Sequence, residues 1–168
     1  MNSRIFLIGA MGSGKTTIGN ILSEALAIDY IDNDYGLSKM ISKSVNELAE
    51  LDIDELHERE NQYAAQLFMQ SGPFIAGVSA SIGDNFELSE KLKGECTIYL
   101  HTSLADQILH SGRRGVGRQG FLENREAEIQ SRYERRDPRF REISCFVVNA
   151  TRDRKKDANS ILEYLNSK

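Results

Sequence analysis

The feature that most constrains this chain is a glycine-rich turn at residues 9–16. An apolar run over residues 5–8 ends at Gly9, and the next residues read Gly-Ala-Met-Gly-Ser-Gly-Lys-Thr. This is the pattern G-x-x-x-x-G-K-[ST], whose successive backbone N–H groups point into one concavity that wraps phosphate. In such a loop Lys15 reaches the β- and γ-phosphates and the Thr16 hydroxyl ligates Mg²⁺. The stretch therefore predicts a nucleotide-binding site.

Five apolar, strand-like segments alternate with helical ones along the chain. The strands read RIFLIG, IDYID, FIAGV, CTIYLH and SCFVVNA, and apolar residues recur at helical spacing between them. The alternation predicts an α/β fold, a three-layer P-loop NTPase domain with a five-stranded parallel sheet and helices on both faces. We expect a single domain over residues 1–168, with substrate-binding helices at about 33–71 and a lid at about 111–123.

Local features add further expectations. The polar NDYG segment forms the connection after the second strand, and Ser103 caps the helix that follows the fourth. The long helix before the last strand is expected to end near Pro138, because proline removes a helical hydrogen bond. Cys96 and Cys145 are expected to be buried free thiols.

Composition and charge limit the partners of the chain. With 40% hydrophobic and 27% charged residues, it is ordinary for a globular protein, and no apolar stretch reaches the length of about 20 residues that a membrane helix needs. The net charge of −4 argues against nucleic acid, although arginines are concentrated between Arg113 and Arg141. We expect a cytoplasmic monomer that binds neither membrane nor nucleic acid.

The class of P-loop protein follows from what accompanies the loop. The D-x-x-G and N-K-x-D motifs of regulatory GTPases are absent from the sequence, and 168 residues are too few for a typical motor or transporter ATPase core. A small-molecule kinase fits this length. Such an enzyme needs a pocket for the acceptor, an acid near the acceptor hydroxyl and a lid that excludes water.

The acids and arginines for such a site are present. Asp32 and Asp34 follow the second strand, where one carboxylate can hold a Mg²⁺-bound water while the other orients or deprotonates the acceptor hydroxyl. The glycine-rich GRRGVGRQG segment predicts a lid with an arginine that stabilises the transferring phosphate. The ERRDPRF segment offers arginines for a substrate carboxylate. The candidates are Arg113, Arg114 and Arg118 in the lid, and Arg135, Arg136 and Arg139 after it.

In order and spacing these segments resemble the shikimate kinases, over essentially the whole chain. The resemblance rests on the P-loop, on Asp-Asn-Asp after strand two, on the arginine-bearing lid and on Arg-Arg-Asp-Pro-Arg-Phe. It implies transfer of the γ-phosphate of ATP, with Mg²⁺, to the 3-hydroxyl of shikimate, a small hydroxylated ring acid.

By position, the resemblance also implies a role for each site residue. The segment from Gly12 through Ser13, Gly14, Lys15 and Thr16 to Thr17 would hold ATP, with Arg118 from the lid and Arg152 near adenine. Thr16 and Asp32 would support the metal. Lys15, Asp34 and Arg118 would be catalytic. Arg136 would bind the substrate carboxylate, beside Asp34, His57 and Ser79.

The acceptor side departs from the family pattern at two places. Leu56-His57 replaces the Phe-Arg that precedes a glutamate, here Glu60, and a histidine is shorter and mostly neutral at pH 7. Gly77-Val78-Ser79-Ala80 replaces Thr-Gly-Gly-Gly, so that side chains enter where the family offers bare backbone. Three interpretations stay open: a divergent working shikimate kinase, a kinase of the same fold for another small hydroxylated metabolite, and a nucleotide-binding protein that has lost catalysis.

Overall fold

The computed structural model describes residues 4–110 and 124–168, and its centre is a five-stranded sheet. The order is β2-β3-β1-β4-β5, and each neighbouring pair is parallel. The carboxyl ends of all five strands therefore lie along the same edge. The α/β prediction with a five-stranded parallel sheet is confirmed. The strands are β1 Arg4–Ile8, β2 Tyr30–Ile31, β3 Phe74–Gly77, β4 Cys96–His101 and β5 Phe146–Asn149.

Helices cover both faces of this sheet. Phe6 and Ile8 of β1 belong to one apolar core, while Ile5 and Leu7 belong to the other. This alternation buries the central strand on two sides, which makes the three-layer architecture. The helices are α1 Lys15–Leu26, α2 Asn33–Ile41, α3 Val45–Ala49, α4 Ile53–Phe68, α5 Phe86–Leu92, α6 Leu104–His110, α7 Arg125–Ile143 and α8 Arg154–Asn166, with a short 3-10 helix at Ala80–Asp84.

The connection after β2 is shorter than the sequence indicates, because the NDYG segment is already the first turn of α2. Asp32 is the N-cap, and its side chain accepts hydrogen bonds from the backbone N–H groups of Asp34 and Tyr35. The cap satisfies two amides that have no partner inside the helix. It also holds the Asp32 carboxylate at the strand edge. Helices α2, α3 and α4 fall within the segment predicted to bind the substrate.

The expectation that the long helix ends near Pro138 is wrong. Helix α7 runs from Arg125 to Ile143 with the proline inside it. A proline inside a helix costs about 3 kcal/mol, but Phe140 and Ile143 beyond it are almost fully buried in the core. Burying these two side chains offsets the lost hydrogen bond, so packing continues the helix through the proline.

Of the other local expectations, the cap by Ser103 is confirmed and the burial of the two thiols is not. Ser103 does cap α6, since its hydroxyl accepts the backbone N–H of Asp106. The thiols are less buried than expected, because Cys145 is exposed and Cys96 only half-buried, although both are free. Among the described residues no helix is long and apolar enough to cross a membrane. The predicted lid, with Arg113, Arg114 and Arg118, lies outside the described residues.

Candidate active site

The phosphate-binding loop connects the end of β1 to the start of α1. Gly14 is the N-cap of α1 with a φ of +103°, a backbone conformation that side chains rarely adopt. A Cβ atom added there would lie 2.8 Å from Nε of Arg154. Gly12, at φ +79°, needs glycine for its backbone alone. Ser13 is fully buried behind the loop, and Thr17 is exposed on the first turn of α1.

Lys15 folds back over its own loop. Its ammonium donates hydrogen bonds to the carbonyl oxygens of Gly9 at 2.8 Å and Ala10 at 3.0 Å. Burial lowers the pKa of Lys15 to about 8, although the charges of Asp34, Glu60 and Asp32 act in the opposite direction. The lysine thus lies in a partly desolvated site, where a nearby anion would raise its pKa.

Thr16 and Asp32 form a pair of oxygen donors next to the loop. The Thr16 hydroxyl donates to Oδ2 of Asp32 at 2.8 Å, while Oδ1 is held by the α2 cap. Thr16 lies on the first turn of α1, which follows β1, and Asp32 follows β2; the two strands lie on either side of β3. Hydroxyl and carboxylate oxygens are the protein ligands and water-holding groups that Mg²⁺ prefers. The donor set therefore fits a magnesium ion.

Tyr30 supports the same carboxylate, and the sequence analysis missed it. Its hydroxyl donates to Oδ2 of Asp32 over a long 3.5 Å. Burial and the charge of Asp32 raise the pKa of Tyr30, which keeps the hydroxyl a donor. The ring occupies space left open by Gly19 and Gly77, where any side chain would collide with it. The need for glycine at these two positions depends on how Tyr30 packs in the folded protein, so the sequence alone does not indicate it.

Asp34 is the second residue of α2 and is exposed. Its Oδ1 accepts a hydrogen bond from the side-chain amide of Asn33 at 3.1 Å. Its charge is the largest of those that raise the pKa of Lys15, so the carboxylate and the ammonium interact electrostatically. The structure thus brings together four predicted residues from two strand ends, namely Lys15, Thr16, Asp32 and Asp34.

The end of β3 contributes hydroxyl groups. Ser79 is the N-cap of the 3-10 helix, and its hydroxyl is 3.0 Å from that of Ser81. Ser81 in turn donates to Oε2 of Glu60 at 2.6 Å, in a buried contact. Glu60 is itself buried on α4. Hydrogen bonds therefore link the side chains of Ser79, Ser81 and Glu60 where the family pattern has open backbone. No sequence motif indicated the role of Ser81.

Arg136 is tied to an acid at the end of the same 3-10 helix. Its Nε and Nη2 both donate to Oδ2 of Asp84, at 2.9 Å and 2.5 Å, while Arg135 donates from Nε to Oδ1 at 2.9 Å. Partial burial opposes ionisation of Asp84, but the two guanidinium groups hold its pKa below the usual range. Arg136 is buried, whereas Arg139 is bonded to Ser89 and Glu90 on the side of α5.

His57 lies on α4 and lines an open groove between α4 and α5, with Asn85 and Leu88 opposite. Arg59, two residues on, faces another way and pairs with Glu55 and Gln62. Arg136 therefore lies beside the 3-10 helix. Arg59 does not replace the arginine that the family pattern has at position 57.

At the far end of the loop, Arg154 contacts the phosphate-binding turn, which the sequence analysis did not foresee. Its Nη2 donates to the carbonyl of Gly12 at 3.4 Å, and its Nη1 to the buried Asp157 at 3.3 Å. Arg152 is exposed two residues earlier. The i,i+3 spacing of Arg154 and Asp157 at the start of α8 was the available signal.

Comparison with known proteins now decides the family. A family model described as shikimate kinase matches residues 11–166. The chain belongs to the shikimate kinase family. The shikimate kinase of Tolumonas auensis is 30% identical over 166 residues, covering 96% of this chain and 95% of that one. That of Salinispora tropica is 30% identical over 145 residues, 84% of each chain.

The fold agrees with the family. A shikimate kinase from Acinetobacter baumannii, solved in complex with shikimate, superposes with a TM-score of 0.86 at 23% identity, covering 98% of this chain and 93% of that chain. Membership makes this chain an ATP-dependent small-molecule kinase, as the P-loop and the two aspartates predict. The departures at His57 and Ser79 stand as differences within the family.

Proposed function

We propose that the chain transfers the γ-phosphate of ATP to the 3-hydroxyl of shikimate. The observation that carries the proposal is the meeting of Lys15, the Thr16–Asp32 pair and Asp34 at the carboxyl edge of the sheet, in a chain that the shikimate kinase model matches over residues 11–166. A nucleotide, a metal and an acceptor hydroxyl would meet at this point of the sheet edge. Ligands of open α/β sheets bind at this edge.

The nucleotide would be held mainly by backbone. The N–H groups from Gly12 to Thr17 and the dipole of α1 suit phosphate oxygens. Lys15 would exchange the carbonyls of Gly9 and Ala10 for phosphate oxygens, which raises its pKa and restores its full charge. Arg152 and the lid arginine, Arg118, would contact the nucleotide from the other side.

Thr16 would ligate Mg²⁺, and Asp32 would hold a metal-bound water. The fixed geometry of Asp32, capped into α2 and bonded to Thr16, supports this assignment. When bound, the ion would neutralise charge that develops between the β- and γ-phosphates. Tyr30 would keep the Asp32 carboxylate in place from behind.

Asp34 would orient the acceptor hydroxyl and take its proton. The acceptor oxygen then bonds to the γ-phosphorus as the bond from phosphorus to the β–γ bridging oxygen breaks, and ADP leaves. Lys15 and Arg118 would balance the charge spread over the transferring group. Arg136 would hold the acceptor carboxylate, with His57 and Ser79 at the rim. Lid closure would exclude water.

A second candidate is a kinase of the same fold that phosphorylates another small hydroxylated metabolite. It is favoured by the Ser79–Ser81–Glu60 chain, which fills the region where the family pattern has glycine backbone. It shares all of the nucleotide chemistry with the first candidate. Only the identity of the acceptor separates the two.

The test is ADP release from Mg·ATP, with and without saturating shikimate. Lys15→Ala reports on contaminating kinases, and Lys155→Ala, an exposed lysine of α8, controls for loss of a positive charge. Shikimate-dependent release by the wild type and by Lys155→Ala but not by Lys15→Ala supports the proposal. Binding of ATP without shikimate-dependent release contradicts it, and a panel of hydroxy acids and polyols then tests the second candidate.

A further inference from the structure

Asp84 lies at the last position of the 3-10 helix, on the acceptor side of the site. Its side chain is 27% exposed, and two consecutive arginines of α7 converge on it, Arg135 on Oδ1 and Arg136 on Oδ2. The contact joins residues that are 52 positions apart. The contact is part of the packing between the 3-10 helix and α7.

Asp84 already uses one edge of the Arg136 guanidinium. A guanidinium grips a carboxylate best along one edge, with two parallel N–H bonds. In Arg136 the edge formed by Nε and Nη2 is already directed at Asp84, and only 10% of the side chain is exposed. A carboxylate arriving on this edge must displace Asp84 or share the guanidinium with it.

Among the described residues, Arg139 and Arg59 do not offer a free guanidinium in place of Arg136. Arg139 bonds to Glu90 and Ser89, and Arg59 pairs with Glu55. Glu60 adds a further buried carboxylate, close enough to Lys15 to raise its pKa. An anionic acceptor held at Arg136 would thus lie beside the carboxylate of Asp84, and like charges in contact disfavour each other.

We propose that Asp84 is a specificity-determining residue of the acceptor site, an internal carboxylate that competes with the acceptor's carboxylate for Arg136. The proposal rests on the proposed function. It implies that this chain discriminates weakly between a hydroxylated ring acid and the same ring with an uncharged group in place of the carboxylate. Because both guanidinium groups stabilise the ionised form of Asp84, the competitor is present at every pH near neutrality.

The experiment compares two acceptors that differ in one charge, shikimate and its methyl ester. kcat and KM are measured for each with the wild type, Asp84→Asn, Asp84→Ser and the control Glu87→Gln, an exposed acid three residues further on. For the wild type we expect kcat/KM values within about tenfold of each other, less than a freely available bidentate arginine gives. Both Asp84 variants should raise the preference for shikimate about tenfold, through a lower KM for shikimate alone.

Three results would overturn the proposal. One is a wild type that prefers shikimate more than about 100-fold with no gain in the Asp84 variants. Another is a higher KM for shikimate in both Asp84 variants at unchanged melting temperature, which would make Asp84 a support that orients Arg136. The third is an equal gain in Glu87→Gln, which would reduce the effect to general charge.

A binding measurement separates this proposal from the proposed function. If the wild type turns over neither acceptor, the proposed function fails. Calorimetric titration of shikimate into the wild type and Asp84→Ser, each saturated with ADP, then decides the role of Asp84. Tighter binding to the variant upholds the competition for Arg136, and equal binding or none refutes it.

Discussion

The region proposed to bind the nucleotide and the region proposed to bind the acceptor, here the nucleotide side and the acceptor side, share one sheet edge but differ in how their contacts are made. On the nucleotide side, Lys15 bonds to carbonyls five and six residues away, and Asp32 bonds to amides two and three residues on. On the acceptor side, Ser81 reaches Glu60 across 21 positions and Arg136 reaches Asp84 across 52. Local backbone geometry builds most of the first region, although Thr16 reaches Asp32 across 16 positions and Arg154 reaches Gly12 across 142. Packing between distant elements builds the second.

This difference separates the effects expected of substitutions. Changing Lys15 or Asp34, which would touch the reacting groups, is expected to remove most of the chemistry. Changing a residue of the acceptor-side network of side chains is expected to alter preference among acceptors and to leave transfer possible. The predictions below test this division, in order of decreasing expected effect.

The largest effect is expected for Lys15→Met. Turnover should fall by about 10³-fold or more, because the variant lacks the positive charge that would stabilise the transferring phosphoryl group. The ligand-free variant should nevertheless be more stable at pH 7. Burial lowers the pKa of Lys15 from 10.5 to about 8, so below pH 8 the folded protein bears the full cost of charging it. That cost is up to about 3 kcal/mol, offset by about 1–2 kcal/mol from the hydrogen bonds to Gly9 and Ala10.

Urea unfolding at pH 7, with Lys155→Met as the surface control, measures the stability. We expect the free energy of unfolding to rise by about 1 kcal/mol in Lys15→Met alone. The difference from the wild type should shrink between pH 8 and 10.5, since the unfolded state binds more protons there and wild-type stability rises with pH. A less stable variant at pH 7 would show that the lysine is a structural support of the loop.

The next effect is expected for Asp34→Asn. An amide keeps a hydrogen bond to the acceptor hydroxyl but cannot take its proton, so kcat should fall by about 10²–10³-fold. ATP binding should change little, because the Asp32 cap of α2 stays intact. Steady-state kinetics and nucleotide titration measure the two quantities. An unchanged kcat would remove Asp34 from the chemistry, and lost ATP binding would assign it to the nucleotide side.

The same division explains what the sequence could predict. The P-loop, the Asp32 cap and the alternation of strands and helices depend on neighbours within a few residues, and the sequence carries all of them. The 3-10 helix, the Asp84–Arg136 pair and Ser81–Glu60 depend on how α4 and α7 pack on the end of β3, and no periodicity marks them. Pro138 shows the same limit, since buried residues beyond it overrode a local helix-breaking signal.

On the acceptor side, His57→Arg should lower the KM for shikimate by about tenfold, the gain expected from one charge-assisted hydrogen bond. The methyl ester of shikimate should show no gain. Gln66→Arg, which adds the same charge at an exposed position of α4 outside the α4–α5 groove, is the matched control. An equal gain in the control would show that long-range charge is sufficient. No gain in His57→Arg would show that the α4–α5 groove, which residue 57 lines, is not part of the acceptor site.

A smaller effect is expected from pH. Since the pKa of Lys15 is about 8 in the free protein and an added phosphate raises it, nucleotide binding should take up a proton above pH 8. Affinity should fall about threefold between pH 7.5 and 8.5, as the charged fraction of the lysine declines. Calorimetry in two buffers of different ionisation enthalpy measures the uptake. Proton uptake that persists in Lys15→Met would assign the titration to another group.

The smallest effect is expected for Tyr30→Phe. The hydroxyl makes one long 3.5 Å bond to Asp32 and lies against Gly77, while the ring fills the space beside Gly19. Removing the hydroxyl alone should raise the magnesium concentration for half-maximal rate about twofold and cost about 0.5 kcal/mol of stability. Tyr35→Phe, on an exposed ring in α2, is the control. Magnesium titrations at saturating ATP measure the effect.

A large loss in Tyr30→Phe would mean that the nucleotide side is not locally determined after all. Asp32 is already held by Thr16 and by two amides of α2, so that three of its four bonds remain in the variant. If those three are insufficient, the position of the metal-supporting carboxylate depends on the packing of β2 against β3 and α1. The two sides of the site would then differ in degree of long-range support, and the two glycines around Tyr30 would be as critical as those of the P-loop.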